Sequence, residues 1–97
     1  MSEFDKLPGA IITAAAEVYG VSVEDVMSDS RKRSIAEARQ MAMFLCHEKT
    51  LLDITDIGIV FGRKHPTVIH TIRKVEGMLE FDRLTKRNYE LITERLK

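Results

Sequence analysis

Long hydrophobic runs are missing from this sequence of 97 residues, and it holds a single cysteine. No stretch of about 18 apolar residues could cross a bilayer, and no basic segment followed by an apolar run marks a secretion signal. Cys46 cannot form an internal disulfide, which fits a reducing compartment. These absences predict a soluble cytoplasmic protein that has no membrane contact.

Internal repeats, low-complexity tracts and linkers rich in Pro, Gly or Ser are also absent. A chain of this length can bury one modest core but not two, so we predict a single domain over residues 1–97. Residues 1–6 are expected to be frayed and disordered. No strand pattern competes with the helical periodicity anywhere in the chain.

The sequence lacks the motifs for nucleotide binding, catalysis and metal binding. A glycine-rich loop of the form GxxxxGK(S/T) does not occur, so we predict that this chain binds no nucleotide. No Ser/His/Asp set and no pair of carboxylates in an evident cleft can be assigned, which argues against an enzyme. Cys46 and His47 are neighbours that point to different helix faces and cannot chelate one ion, so we predict no metal and no cofactor.

The net charge of zero hides an uneven distribution along the chain. Residues 1–30 carry one basic side chain against six acidic ones, whereas residues 31–74 carry nine basic side chains against four acidic ones. The first segment would repel phosphate. The middle segment is suited to facing DNA.

Apolar residues recur at helical spacing through the first half of the chain. Gly20 is a natural stop for the first helix. Ser22 and Asp25 have the pattern of an N-terminal cap, and Ser34 and Glu37 have that of a capping box. We predict helices over residues 8–19, from 23 to about 28, and from 34 to about 50, the third being the central packing helix.

Residues 28–33, between the second and third helices, contain three consecutive basic side chains and no apolar one. This composition predicts an exposed and flexible segment, which we call the basic loop. A solvated loop without a ligand is the common alternative for such a run of charge.

Two further helices follow, joined by a few residues around Gly62. Asp53 or Thr55 can cap the first of them, which spans residues 54–61 before the glycine ends it. Pro66 lacks an amide hydrogen and so belongs at the first position of the next helix. The result is a helix-turn-helix.

The helix that begins near Pro66 has one apolar side, and its polar residues occupy the other faces. Gly77 is expected to weaken its end, and Asp82 can cap a last helix. The residues predicted on the polar faces are Thr67, His70, Thr71, Arg73 and Lys74.

A helix-turn-helix over about residues 54–77 is typical of DNA-binding proteins. The N-terminus of its second helix can approach phosphate, and the side chains of the first turns fit a major groove. Lys64 offers a cation, His65 a donor and an aromatic edge, and Thr67 a hydroxyl and a methyl group for base edges. Arg31 of the basic loop could reach phosphate or a narrow minor groove.

A resemblance to the C-terminal DNA-binding domain of the bacterial replication initiator DnaA is carried by YGVSVEDVMS, RKRSIAEARQMAMFL (residues 31–45) and FGRKHPTVIHTIRKV (residues 61–75). The likeness covers roughly residues 8–80. It implies an all-α, Trp-repressor-like fold that recognises a short, AT-rich, asymmetric box in double-stranded DNA. The basic loop would enter the minor groove and the recognition helix the major groove.

The resemblance also implies roles for single residues. Arg31 is expected in the minor groove, and His65, Pro66 and Thr67 in the major groove. The remaining residues of the set named next are expected to contact the DNA backbone or base edges. The full set of predicted DNA-binding residues is Arg31, Lys32, Arg33, Arg39, Gln40, Thr55, Arg63, Lys64, His65, Pro66, Thr67, His70, Arg73 and Lys74.

This sequence departs from the family pattern at several positions. Lys64 stands where the family commonly has Asp, and Pro66 where it has Thr or Ser. The turn is one glycine shorter than usual, and Glu37 and Ala38 replace a common Arg-Pro pair. Because a carboxylate favours the amino group of cytosine and Lys favours guanine, the base preference is expected to change.

The leading interpretation is therefore a sequence-specific DNA-binding module. The alternative is a protein-interaction adaptor or regulator of replication that keeps the fold with altered or lost DNA specificity. Monomer is the default state, although Leu84, Leu91 and Ile92 fit a dimer seam as well as packing within the chain. Both an excised domain and a stand-alone relative fit the sequence, and Met1 favours the latter.

Overall fold

The computed structural model describes residues 7–97, and it forms helices where apolar residues recur at helical spacing. The predicted disorder of residues 1–6 falls outside the described residues. Within residues 7–97 there is no β-strand, so the predicted all-α class is confirmed. The helices are α1 (Pro8–Tyr19), α2 (Val23–Val26), α3 (Arg33–Lys49), α4 (Ile54–Phe61), α5 (His65–Phe81) and α6 (Arg83–Arg95).

Glycines and side-chain caps set four of the helix ends where they were predicted. Gly20 ends α1 with φ 70°, and Gly62 ends α4 with φ 65°, a left-handed conformation that glycine adopts without steric penalty. Ser22 and Asp25 form a reciprocal capping box at the start of α2. Of the two candidate caps for α4, the side chain that accepts the amide hydrogen bond is that of Asp53.

The predicted capping box of Ser34 and Glu37 is wrong. The helical bonds begin two residues earlier, at Lys32 rather than Ser34, since the amide of Ala36 donates to the carbonyl of Lys32 at 2.8 Å. Ser34 therefore lies inside the first turn of α3 rather than at its N-cap. The carboxylate of Glu37 lies instead 3.5 Å from Nε of Arg33.

The predictions for α5 need three corrections. His65 is its first residue, which places Pro66 second, where a missing amide hydrogen is equally harmless because the first amides have no helical acceptor. The helix does not end near Gly77 but runs on to Phe81. Thr71 is buried, because it lies on the same side of the helix as Val68 and Val75.

The central position predicted for α3 is confirmed, since α3 packs against α1, α2, α4 and α5. Met41, Met43 and Leu45 are fully buried, as expected for packing residues. Burial also raises the pKa of the Cys46 thiol to about 12, so it stays protonated and unreactive.

The last helix closes the core by packing on α1 and α5, with Ile92 fully buried. The Tyr89 hydroxyl donates to the Glu48 carboxylate at 2.5 Å, and its ring meets Phe44 edge-on. No helix of residues 7–97 is both long enough and apolar enough to span a bilayer. Over the same residues, no cluster of three or more His, Cys, Asp or Glu side chains is arranged to hold a metal ion.

Candidate nucleic-acid interface

The turn between α4 and α5 is short because the two helices approach closely at Gly58. A Cβ atom at this position would lie 2.5 Å from the carbonyl oxygen of Arg63. The same turn is closed by the amide of Arg63, which donates to the Gly58 carbonyl at 2.8 Å. Only a residue without a side chain fits here, so Gly58 fixes how α5 leaves α4.

The first turn of α5 faces outward. Val68, Ile72 and Val75 are buried on the inner side of the helix. Lys64 precedes the helix at the N-cap position, and its ammonium group can only donate, so it cannot satisfy the first amides of α5. These amides and the positive end of the helix dipole remain open to an anion.

All the residues predicted to contact DNA from α5 and its N-cap are exposed. His70 lies on the outer side of the helix, as predicted for the polar faces. Arg73 follows it on the same side. The exposed residues are Lys64, His65, Pro66, Thr67, His70, Arg73 and Lys74.

A groove runs from α4 to the first turn of α5. Thr55, one of the predicted DNA-binding residues, is exposed on its wall near Lys64 and His65. Ile59 lines the same groove and is 75% exposed, and sequence reasoning missed it. The only signal was its position one turn after Thr55, which places both side chains on one face of α4.

The basic loop exposes Arg31 and Lys32 as predicted, but its backbone is held by a chain of hydrogen bonds. The Ser28 hydroxyl donates to the Asp25 carbonyl at 2.7 Å and accepts from the Ser30 amide at 3.2 Å. The Ser30 hydroxyl in turn accepts from the Lys32 amide, also at 3.2 Å. Successive serine turns thus shape the loop that the sequence predicted to be exposed.

Arg39, predicted to contact DNA, is only 8% exposed and faces the backbone of the chain before α3. Its Nε donates to the carbonyl of Val26 at 2.9 Å, and its Nη2 to that of Ser30 at 3.1 Å. Burial lowers the pKa of Arg39, and the nearby positive charge of Arg63 lowers it further. The guanidinium is thus engaged beneath the basic loop.

Arg63 and Arg33 are also engaged by other parts of the chain. Nη2 of Arg63 donates to the carbonyl of Ser28 at 3.2 Å, and Nη1 lies 3.3 Å from the carboxylate of Asp29. Arg33 is exposed but pairs with Glu37. The basic triplet of the sequence is therefore divided, with Arg31 and Lys32 pointing out from the loop and Arg33 placed at the start of α3.

A second groove, lined by residues of the basic loop, α3 and the turn after α4, includes Arg31 and the half-buried Gln40. Gly62 and Arg63 line both this groove and the one beside α5. The basic loop and the first turn of α5 therefore border one continuous surface.

The sequence model described as "Bacterial dnaA protein helix-turn-helix" matches residues 8–75, which run from the start of α1 into α5. The chain belongs to this family. Every predicted DNA-binding residue lies inside the matched segment, whereas α6 lies outside it. The DnaA-type helix-turn-helix is thus the part of the chain that family membership describes.

Individual relatives agree with this assignment. The chain is 47% identical over 75 residues, 77% of its length, to the chromosomal replication initiator protein DnaA 1 of Chlamydia trachomatis. It is 36% identical, over its whole length, to the chromosomal replication initiator protein DnaA of Nostoc sp.. The matched segments span 16% and 21% of these two proteins, so the chain corresponds to a small part of each.

Proposed function

We propose that this chain binds double-stranded DNA sequence-specifically, at a short AT-rich box of the kind that DnaA recognises, as a monomer. The first turns of α5 would lie in the major groove and the basic loop in the adjacent minor groove. The observation that carries the proposal is the continuous surface on which the open N-terminus of α5 and the exposed Arg31 border grooves that share Gly62 and Arg63. Relatives named as chromosomal replication initiators support a role at a replication origin.

Most of the exposed candidate residues have a role in this proposal that their chemistry permits. His65 and Thr67 would read base edges from the first turn of α5, and Arg31 the minor groove. Phosphate contacts would come from Lys32, Gln40, Thr55, His70, Arg73 and Lys74, all of which are exposed or half-buried. Arg39 and Arg63 are left out of the contact set, because backbone carbonyls already engage their guanidinium groups.

Lys64 would alter the recognised box. Its ammonium group donates only, so it suits the acceptors on the major-groove edge of guanine and not the amino group of cytosine. We therefore propose a guanine where a carboxylate at this position would select a cytosine.

A titration at fixed moderate salt tests the proposal with three duplexes: a DnaA-type box, a scrambled box and a randomised pool from which preferred sites are selected. Tight, selective binding to the box or to a selected variant is the expected result. If about six phosphates are neutralised, the slope of log affinity against log salt should be about −5. A chain that binds no duplex would instead be a protein-interaction adaptor.

Two substitutions separate base reading from nonspecific attraction. Arg31→Ala and Thr67→Ala should each weaken binding to the preferred box by about 1–3 kcal/mol, roughly fivefold to 150-fold, and reduce discrimination against the scrambled box. Lys86→Ala on α6 is the matched control and should change affinity by less than about twofold. Equal affinities of the wild type for both boxes would contradict sequence-specific reading.

A further inference from the structure

Arg63 joins two segments that are distant in the sequence. Its Nη2 donates to the carbonyl of Ser28, 35 residues earlier in the basic loop. Its Nη1 donates to the carbonyl of Phe61 at 3.0 Å, at the end of α4. One planar side chain thus bonds both the loop and the helix-turn-helix.

The surroundings of Arg63 favour this bridging geometry over an outward one. Its side chain is only 21% exposed, and the carboxylate of Asp29 lies 3.3 Å from Nη1. A guanidinium is a rigid fork of donors, so it can serve two carbonyls whose separation is set by the backbone. A lysine ammonium at the end of a flexible chain keeps the charge but not this fork.

We propose that Arg63 is a positioning residue that clamps the basic loop to the turn before α5. The clamp sets the separation between Arg31 and the first turn of α5, which are the two elements proposed to enter adjacent grooves. Arg39 supports the same loop from below through the carbonyl of Ser30. The effect of the clamp on DNA rests on the proposed function, whereas its effect on the loop does not.

The first test uses the DNA-free chain and limited trypsin digestion. Arg31 and Lys32 are exposed cleavage sites, and their cleavage rate reports how often the loop opens. Arg63→Gln is expected to raise the rate of cleavage after these two residues by about tenfold, since two hydrogen bonds from a charged donor are lost. Arg63→Lys should raise it by a similar factor.

Arg87→Gln is the matched control. Arg87 is an exposed residue of α6, and its substitution should leave the loop cleavage rate unchanged. Far-UV circular dichroism at the digestion temperature establishes that each variant is folded. Unchanged loop cleavage in folded Arg63→Gln overturns the clamp, and so does full restoration of the wild-type rate by Arg63→Lys.

The second test compares DNA affinity as a function of salt. A clamp predicts that Arg63→Gln and Arg63→Lys both lose about tenfold in affinity while the slope of log affinity against log salt stays the same. A slope that falls by about one, together with rescue by lysine, would make Arg63 a direct phosphate contact and overturn the proposal. If the wild type binds no duplex, the proposed function fails, and the cleavage pattern alone still decides the clamp.

Discussion

The first turns of α5 and the basic loop expose similar side chains, but different parts of the chain hold them in place. Residues 64–67 are presented by a regular helix, whose own backbone bonds and buried side set their direction. In the basic loop, the carbonyls of Ser28 and Ser30 are bonded by Arg63 and Arg39, 35 and nine residues away. A helix can thus present a reading surface from local sequence, whereas this loop depends on side chains from other elements.

Removing the support of the loop should have the largest effect on stability. Arg39→Ala deletes a buried guanidinium that bonds the carbonyls of Val26 and Ser30, leaving both without that donor. We expect a loss of about 3 kcal/mol in the free energy of unfolding, measured by urea denaturation. The exposed Arg87→Ala should change it by less than about 0.5 kcal/mol. Similar losses in both variants would show that the loop needs no buried support.

Within the helix-turn-helix, substitution of Gly58 should cause the largest loss of stability. In Gly58→Ala the new methyl group would meet the backbone carbonyl of Arg63, so the turn must shift. We expect a loss of about 2 kcal/mol in thermal unfolding experiments, with weaker DNA binding because α5 leaves α4 at another angle.

Gly77→Ala is the matched control for this substitution. Its Cβ would meet no atom within 4 Å, and it lies inside α5, where alanine is favoured over glycine by up to about 1 kcal/mol. We expect a slightly more stable protein with unchanged DNA affinity. A tolerated Gly58→Ala would show that the helix–helix approach does not fix the turn.

The smallest effect is expected at the start of α6. The Thr85 hydroxyl donates to Asp82 and holds the pKa of this carboxyl below its ordinary value of 3.8. Because the folded state favours the ionised form, the stabilisation is present above the ordinary pKa and is lost as pH falls through the folded value. Melting temperatures measured from neutral pH into this acid range should fall less for Asp82→Asn than for the wild type. Identical acid profiles would contradict this role.

The helices were predictable because their signals lie within a few residues of each other. The left-handed stops at Gly20 and Gly62 and the cap of Ser22 on Asp25 involve contacts at most five residues apart. Ser34 shows where this reasoning fails, because its pattern matches a cap while the helix begins at Arg33. A local pattern can fit more than one helix start, and the path of the preceding loop determines at which residue the helix begins.

The candidate nucleic-acid interface likewise has features that the sequence predicted and features that it did not. Sequence reasoning placed the exposed residues of α5 and the basic character of the loop, because both follow from helical period and composition. It did not reveal that Arg39 and Arg63 bond distant backbone carbonyls, since charge alone does not distinguish an outward arginine from one bonded within the chain. It also missed Ile59, whose exposure depends on where the groove opens.

The sequence by itself determined the helical class, most helix ends and which polar residues the first turns of α5 expose, because each depends on short-range geometry and chemistry. Tertiary structure alone decided that two arginines hold the basic loop. These contacts arise only after α3 brings the other helices together. The partners of a buried donor are chosen by packing and not by neighbours in the chain.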